Sequence, residues 1–177
     1  MKQLNDSLLY VADIVDNTIV DGTGFRTSIY LSGCDICCEG CHNKKLWDIN
    51  SGHAMKIDEV FEKITGDFTN ITFIGGEPMM QAKPLALLAE KININTRKDI
   101  WIYSGHTYEE IICNEEYFKL LQLCDVLVDG KFDKSLSINN LRFKGSTNQR
   151  IIDIKKSLEE NHIVLWNDEE DFDKNII

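Results

Sequence analysis

Short apolar runs alternate with amphipathic stretches along the whole chain. Four of the runs are rich in β-branched and aromatic residues and stop at a glycine, and they therefore predict strands. These runs are TSIYLSG (27–33), NITFIGGEP (70–78), DIWIYSG (99–105) and CDVLVDGKF (124–132). Strands that alternate with helices are typical of βα units around a mostly parallel sheet, so the pattern predicts an α/β fold.

The stretches between the strands carry apolar residues at helical spacing. The clearest one covers residues 55–65, where four apolar residues recur three or four positions apart: Ile57, Val60, Phe61 and Ile64. We predict further helices starting at Pro84, where the missing N–H of proline costs nothing, and in one or two pieces over 108–123. A last helix is predicted from about Gln149 to Asn161.

Small and polar residues follow each of the four predicted strands. The sequences at these ends are SGC, GGEP, YSGH and VDGKF. Because the carboxyl ends of parallel strands meet at one edge of a sheet, and sites in α/β folds are built there, we expect a functional site at this edge. Each glycine taken alone is equally typical of an ordinary strand-ending turn.

The charge composition limits the classes of molecule that the chain is expected to bind. The net charge of the 177-residue chain is −10, which argues against nucleic acid and anionic membranes because both reward clustered Lys and Arg. No basic leader followed by a long apolar run is present, and we expect a soluble cytoplasmic protein. We expect one domain over residues 1–177, with residues 162–177 as a flexible acidic tail.

Six cysteines in a cytoplasmic protein indicate metal or redox chemistry, and four of them lie in SGCDICCEGCHNKKLW (32–47). Paired as 34/37 and 38/41, they resemble two zinc knuckles, but the pairs abut where zinc ribbons separate them widely. If the ligands are instead Cys34, Cys38 and Cys41, with the spacing C-x3-C-x2-C, each thiolate can reach one iron of a cubane cluster. The fourth iron then has no protein ligand. A redox CxxC motif or unliganded thiols are the remaining interpretation.

The C-x3-C-x2-C spacing after the first strand, with GGEP ending the next, resembles the radical S-adenosylmethionine (SAM) superfamily. Within it, the chain is most similar to the activators of anaerobic ribonucleoside-triphosphate reductase. The likeness runs through VDGTGFRTSIYLSG (20–33), CDICCEGCHNKKLWDINSG (34–52), FIGGEP (73–78), DIWIYSGHTYEE (99–110), DVLVDGKF (125–132) and FKGSTNQR (143–150). The first and third of these segments also resemble the activase of pyruvate formate-lyase.

The resemblance implies a partial (βα) barrel of the radical SAM type with outer helices. It implies that Cys34, Cys38 and Cys41 hold three irons of a [4Fe-4S] cluster, with SAM on the fourth iron. Residues implied to contact SAM are Gly40, Cys41, His42, Gly75, Gly76 and Glu77. Glycines allow close backbone approach, and a carboxylate or nearby carbonyls accept hydrogen bonds from the SAM ammonium.

The same resemblance implies the reaction. Reductive cleavage of SAM gives a 5′-deoxyadenosyl radical, which installs a glycyl radical on the large subunit of the anaerobic (class III) reductase. No side chain is expected to be catalytic, because the cluster and SAM carry the chemistry. A low-potential electron donor such as flavodoxin is an implied partner. The alternatives are an activase of another glycyl radical enzyme, such as pyruvate formate-lyase, and a non-catalytic zinc or iron–sulfur module.

We also assign expected roles to several residues outside the cluster and SAM motifs, and two alternative roles to His42. Cys37 falls outside the ligand spacing and is expected to be an inert, partly exposed thiol, whereas Cys113 and Cys124 are expected to be small core residues. Arg26 is expected to fix a loop or form a structural ion pair. His42 is equally consistent with a nucleoside contact and with a solvated loop residue. A separate pair, Asp129 and Lys131, is expected to be exposed at a strand end, available to SAM or a partner.

Overall fold

The computed structural model describes residues 7–64 and 68–167. Within these residues, seven strands form one sheet in the order β3-β1-β2-β4-β5-β6-β7. The strands are β1 Leu8–Thr18, β2 Arg26–Leu31, β3 His53–Lys56, β4 Asn70–Gly75, β5 Ile100–Tyr103, β6 Val126–Asp129 and β7 Arg150–Asp153. The helices are α1 Ile57–Ile64, α2 Ala82–Asn95, α3 Tyr108–Ile112, α4 Glu115–Leu121 and α5 Ile154–Glu160. None of these helices is long and apolar enough to cross a bilayer.

The centre of the sheet is parallel and consists of the four predicted strands. Strand β2 pairs with β4, β4 with β5 and β5 with β6, all in parallel register. Their carboxyl ends therefore lie at the same edge, as the sequence predicts. The α/β class is confirmed, and two helical pieces, α3 and α4, occupy the stretch 108–123.

The flanks of the sheet are antiparallel, so the sheet is less parallel than predicted. Strand β1 runs antiparallel to β2 and β3, and β7 runs antiparallel to β6. In the described part of the chain the sheet ends at β3 and β7 without closing on itself, and the barrel part of the prediction is not confirmed.

The predicted helix from Gln149 is wrong in its first part. Residues Arg150–Asp153 form β7, because Ile151 and Ile152 send their side chains into the hydrophobic clusters on opposite faces of the sheet. Helix α5 starts only after Asp153, whose carboxylate accepts a hydrogen bond from the backbone N–H of Lys156 at 3.0 Å. This side-chain bond satisfies an otherwise unpaired N–H in the first turn of the helix.

One face of the sheet carries the main hydrophobic core and all five helices. Strand residues Ile100, Ile102 and Leu127 pack there with Leu88 of α2 and Leu120 of α4, among others. The alternate residues of the same strands, Trp101, Tyr103, Val126 and Val128, lie on the opposite face. Because side chains alternate along a strand, one face of the sheet packs against the helices, and the opposite face carries a separate cluster of side chains.

The second face is polar around the buried Arg26. The Arg26 guanidinium donates to the Thr72 hydroxyl at 2.7 Å and to the Ile71 carbonyl at 2.6 Å, and it pairs with Asp99 at 2.6 Å. Its carbon Cζ lies 5.3 Å from the centre of the Trp101 ring. Arg26 therefore has the structural role that its position before the first predicted strand suggests.

Part of the predicted flexible tail packs on the sheet. The backbone N–H of Trp166 donates to the Ile151 carbonyl at 2.9 Å, and the Trp166 ring lies 5.2 Å from that of Trp101. Large aromatic rings bury much apolar surface, which explains why the segment 162–167, with Trp166, lies against the sheet. The acidic run 168–171 lies outside the described residues, and the single domain over 1–177 stays a prediction.

Replacing Arg26 by methionine is expected to destabilise the fold. The change leaves the Thr72 hydroxyl, the Ile71 carbonyl and Asp99 without their cationic donor. Each buried group that loses its hydrogen-bond donor typically costs about 1–3 kcal/mol of unfolding free energy, whereas the Asp99 side chain is 38% exposed and is solvated by water. Urea denaturation measures this loss, and the exposed Arg97→Met serves as control with an expected change of less than about 0.5 kcal/mol. Equal losses in the two variants would contradict the structural role.

Candidate functional site

A cavity of about 460 Å³ lies at the carboxyl ends of the four parallel strands. Each of these strands, or the loop that follows it, contributes to the lining. Residues of the predicted site that line it are Cys34, Cys38, Cys41, His42, Gly75, Gly76 and Glu77. The structure therefore brings together most of the predicted residues, at the edge of the sheet where the sequence places them.

The cysteine loop is held at its start by backbone hydrogen bonds. The N–H of Gly33 donates to the Leu46 carbonyl at 2.8 Å, and that of Cys34 donates to the Trp47 carbonyl at 3.0 Å. Further along, Gly40 has a φ of +77°, which favours glycine, and a Cβ there would press on the Lys134 side chain. Gly40 does not line the cavity, so its predicted contact with SAM stays a prediction.

The three thiols of the predicted ligand set line one cavity. Among the described residues, no three Cys, His, Asp or Glu side chains converge closely enough to hold a single ion. A polynuclear group makes a different demand, because each thiolate binds its own iron. Burial raises the pKa of the Cys34 and Cys38 thiols, which therefore favour the protonated form until a metal binds. Cys41 Sγ accepts a hydrogen bond from the Asn43 backbone N–H at 3.3 Å.

The remaining cysteines lie outside the cavity. Cys37 is exposed, and its thiol donates to the Cys34 carbonyl at 3.4 Å. Cys124 is buried, as predicted, and burial raises the pKa of its thiol well above the usual value. Cys113 is exposed, so its assignment to the core is wrong, because it lies past the last turn of the short helix α3.

The two glycines of GGEP are needed by the neighbouring backbone. A Cβ on Gly75 would collide with the backbone of Leu31, and a Cβ on Gly76 would collide with the carbonyl of Gly33. The N–H of Gly76 donates to the Leu31 carbonyl, and that of Glu77 donates to the Gly33 carbonyl, both at 2.7 Å. The turn is thereby fixed against the start of the cysteine loop, a role that the sequence does not predict for these glycines.

Glu77 is buried and already hydrogen-bonded. Its carboxylate accepts from the Met79 N–H at 3.0 Å, the Ser104 hydroxyl at 2.9 Å and the Gly105 N–H at 2.7 Å. Burial raises the pKa of Glu77, while these donors oppose the rise. The carboxylate therefore joins the end of β4 to the end of β5. A contact with the SAM ammonium, which the resemblance implies, stays a prediction.

Asp129 is buried, and the expectation that it is exposed is wrong. Its carboxylate accepts from the Tyr108 N–H at 2.8 Å and from Arg150 Nε at 3.0 Å. Arg150 also binds Glu109 through two hydrogen bonds and lowers the pKa of Glu109 to about 2. Lys131 is exposed, as predicted, but does not line the cavity.

The second face of the sheet contributes a part of the cavity that the sequence does not predict. Asp21 accepts hydrogen bonds from the Ser28 hydroxyl at 2.8 Å and the Tyr30 hydroxyl at 3.1 Å. Burial and Asp21 raise the pKa of Tyr30 to about 12. The neighbouring Tyr103 hydroxyl is buried and has no hydrogen-bond partner. The alternation of Ser28 and Tyr30 along β2 was the available signal, since both lie on the face opposite to the core.

Two residues after the third cysteine also line the cavity. His42 is exposed, and its ring lies 5.6 Å from that of Phe132. Asn43, which sequence analysis did not single out, donates from its side chain to the Gly75 carbonyl at 3.4 Å. Asn43 therefore links the cysteine loop to the GGEP turn.

Comparison with known proteins identifies a family and several relatives. The 4Fe-4S single cluster domain family matches residues 20–152. A Vibrio cholerae anaerobic ribonucleoside-triphosphate reductase-activating protein is 35% identical over 143 residues, which cover 75% of this chain and 90% of the relative. A protein of the same name from Enterobacteria phage T4 is 28% identical and covers 84% and 93%. QueE from Escherichia coli aligns at a TM-score of 0.49 and 18% identity, over 56% of this chain and 54% of that chain.

The family match and the Vibrio cholerae relative establish which class of protein this chain is. The chain belongs to the 4Fe-4S single cluster domain family, and within it to the family of anaerobic ribonucleoside-triphosphate reductase-activating proteins.

Replacing Glu77 by alanine is expected to unfold the site. Three donors lose their acceptor, and each buried unpaired group costs about 1–3 kcal/mol. We expect a loss of at least about 3 kcal/mol in urea denaturation. The exposed Glu90→Ala on α2 is the matched control and is expected to change stability little. If the two variants are equally stable, the carboxylate does not hold the strand ends together.

Proposed function

We propose that this chain is a radical SAM activase that installs a glycyl radical on the large subunit of anaerobic ribonucleoside-triphosphate reductase. The observation that carries the proposal is the placement of Cys34, Cys38 and Cys41 in one cavity at the carboxyl ends of four parallel strands, with Cys37 outside it. The names of the relatives support the same partner.

In this proposal the three cysteines hold three irons of a [4Fe-4S] cluster. The donor set fits, because three thiols line a single cavity of about 460 Å³. When bound and reduced, the cluster would supply the electron for cleavage of SAM into methionine and a 5′-deoxyadenosyl radical, which would become 5′-deoxyadenosine by taking a hydrogen atom from a glycine of the partner. No side chain of the chain needs to act as an acid, a base or a nucleophile.

The residues around the cysteines orient the ligand. The cysteine loop and the GGEP turn are tied together by backbone hydrogen bonds, so the metal-binding side and the SAM-binding side of the cavity keep a fixed distance. We propose the Gly75 carbonyl and the Glu77 carboxylate as acceptors for the SAM ammonium, and His42 with the backbone of Gly40 and Cys41 as contacts for the nucleoside. Preorganised groups of this kind lower the cost of positioning.

The sheet face that carries the cavity supports the finer fold assignment. Helices cover one face, whereas Tyr30, Tyr103 and the cavity lie on the other. We propose that this second face is the interior of a partial barrel of the radical SAM type. We also propose a low-potential electron donor, such as flavodoxin, as the reductant for the cluster.

Two cysteine variants test the proposal. After anaerobic reconstitution with iron and sulfide, Cys37→Ala is expected to keep about four irons per chain and to generate a glycyl radical on the reductase large subunit. Cys38→Ala is expected to lose the cluster and the radical signal, because each thiolate of the triad holds one iron. Iron analysis and electron paramagnetic resonance of the large subunit measure the two effects.

The exposed Cys113→Ala is the control for loss of a thiol elsewhere and is expected to match the unmodified chain. A Cys38→Ala chain that keeps its cluster would refute the ligand assignment. Loss of the cluster in Cys37→Ala would favour a closed four-cysteine cluster, and uptake of zinc in place of iron would favour the zinc module.

A further inference from the structure

The Tyr103 hydroxyl is a buried donor without a partner in the wall of the cavity. Three buried side-chain polar atoms have no hydrogen-bond partner among the described residues, and they are Trp47 Nε1, Tyr103 Oη and His106 Nε2. Of these three residues, Tyr103 lines the cavity and the other two do not. Buried polar groups in folded proteins are nearly always hydrogen-bonded, so an unpaired one beside a cavity points to a molecule that binds there.

The neighbouring side chains do not supply the missing acceptor. Tyr30 of β2, Ile74 of β4 and Tyr103 of β5 lie side by side on the cavity face. The Ile74 side chain has no polar atom. The Asp21 carboxylate accepts from the hydroxyls of Ser28 and Tyr30, at 2.8 Å and 3.1 Å. No such bond reaches it from Tyr103. The acceptor for this hydroxyl is therefore expected to come from a bound molecule.

The hydroxyl is held in place and stays protonated. The Tyr103 ring packs against the cluster of Trp101, Val126 and Val128 on the second face of the sheet. Burial raises the pKa of Tyr103. The group is therefore a neutral O–H donor with a fixed position, and its partner must offer an oxygen acceptor such as a carbonyl.

SAM and the glycine-bearing segment of the partner both carry oxygen acceptors. The residues proposed for SAM lie in the cysteine loop and the GGEP turn, at the ends of β2 and β4. By the register of β4 and β5, Tyr103 lies level with Ile74, which precedes that turn, and its ring packs on the sheet face. Because a glycine has no side chain, only backbone N–H and C=O groups can fix its orientation through hydrogen bonds. A backbone carbonyl of the segment is therefore the acceptor that this position favours.

We propose that the Tyr103 hydroxyl donates a hydrogen bond to a backbone carbonyl of the glycine-bearing segment of the reductase large subunit. This bond fixes the orientation of the glycine from which the hydrogen atom is taken. The proposal rests on the proposed function and assigns to Tyr103 a role in holding the substrate. A donor that is already held in place lowers the cost of positioning the reacting group.

The variant Tyr103→Phe tests the proposal, because it removes the hydroxyl and keeps the ring. Its stability in urea is expected to match that of the unmodified chain, since no bond within the chain is lost. Its Kd for the large subunit is expected to rise about three- to tenfold in calorimetry. We also expect fewer glycyl radicals per 5′-deoxyadenosine formed, because the glycine is less well oriented. The matched control is Tyr117→Phe on α4, outside the cavity, which is expected to behave like the unmodified chain.

Measurements without the partner separate this proposal from the proposed function. The unmodified chain and both variants are expected to bind SAM with the same Kd and to form 5′-deoxyadenosine at equal rates. If Tyr103→Phe weakens SAM binding, the hydroxyl binds SAM and the proposal is wrong. Normal subunit binding and a normal radical yield in Tyr103→Phe would also overturn it, as would a marked loss of stability. If the unmodified chain forms no 5′-deoxyadenosine, the proposed function fails, and the role of Tyr103 fails with it.

Discussion

The site depends on the close contact between two backbone turns, one at the end of β2 and one at the end of β4. Two hydrogen bonds of 2.7 Å join Gly76 and Glu77 to the carbonyls of Leu31 and Gly33. The contact is possible because neither Gly75 nor Gly76 has a side chain that would separate the strands. Since Cys34 follows Gly33 directly, this contact sets the position of the first cysteine relative to the GGEP turn.

Similar connections continue across the edge of the sheet. Glu77 joins the end of β4 to Ser104 and Gly105 after β5. Asp129 joins the end of β6 to the first turn of α3 and to Arg150 in β7. Two buried carboxylates therefore stabilise the cavity wall. The cost of burying these charges is offset by hydrogen bonds from several donors to each one.

The sequence predicted the parallel centre of the fold well and its flanks poorly. The four central strands are short apolar runs ended by glycine, and this local pattern is independent of what they pack against. Strand β7 was missed because Ile151 and Ile152 read equally well as part of a helix, and only pairing with β6 decides between them. Trp166 was assigned to a tail because its partner, Trp101, lies 65 positions away.

In the candidate site, too, features set by local sequence were predicted and features set by long-range contacts were not. The cysteine spacing and the GGEP motif are local, and the structure brings them into one cavity. The burial of Asp129 was not predictable, because the cation that pairs with it comes from another strand. Asp21, Tyr30 and Tyr103 were missed for a related reason. They become part of the site only when the loop before β2, strand β2 and strand β5 come together on the face away from the helices.

The most direct test of the account is the reaction of the reconstituted chain with SAM in the absence of any partner. Dithionite reduces the cluster anaerobically, and chromatography measures 5′-deoxyadenosine and methionine. With one iron open to SAM, we expect both products to form in equal amounts and neither to form without the cluster. A chain that binds a cluster but leaves SAM intact would contradict the claim that one iron is open to SAM.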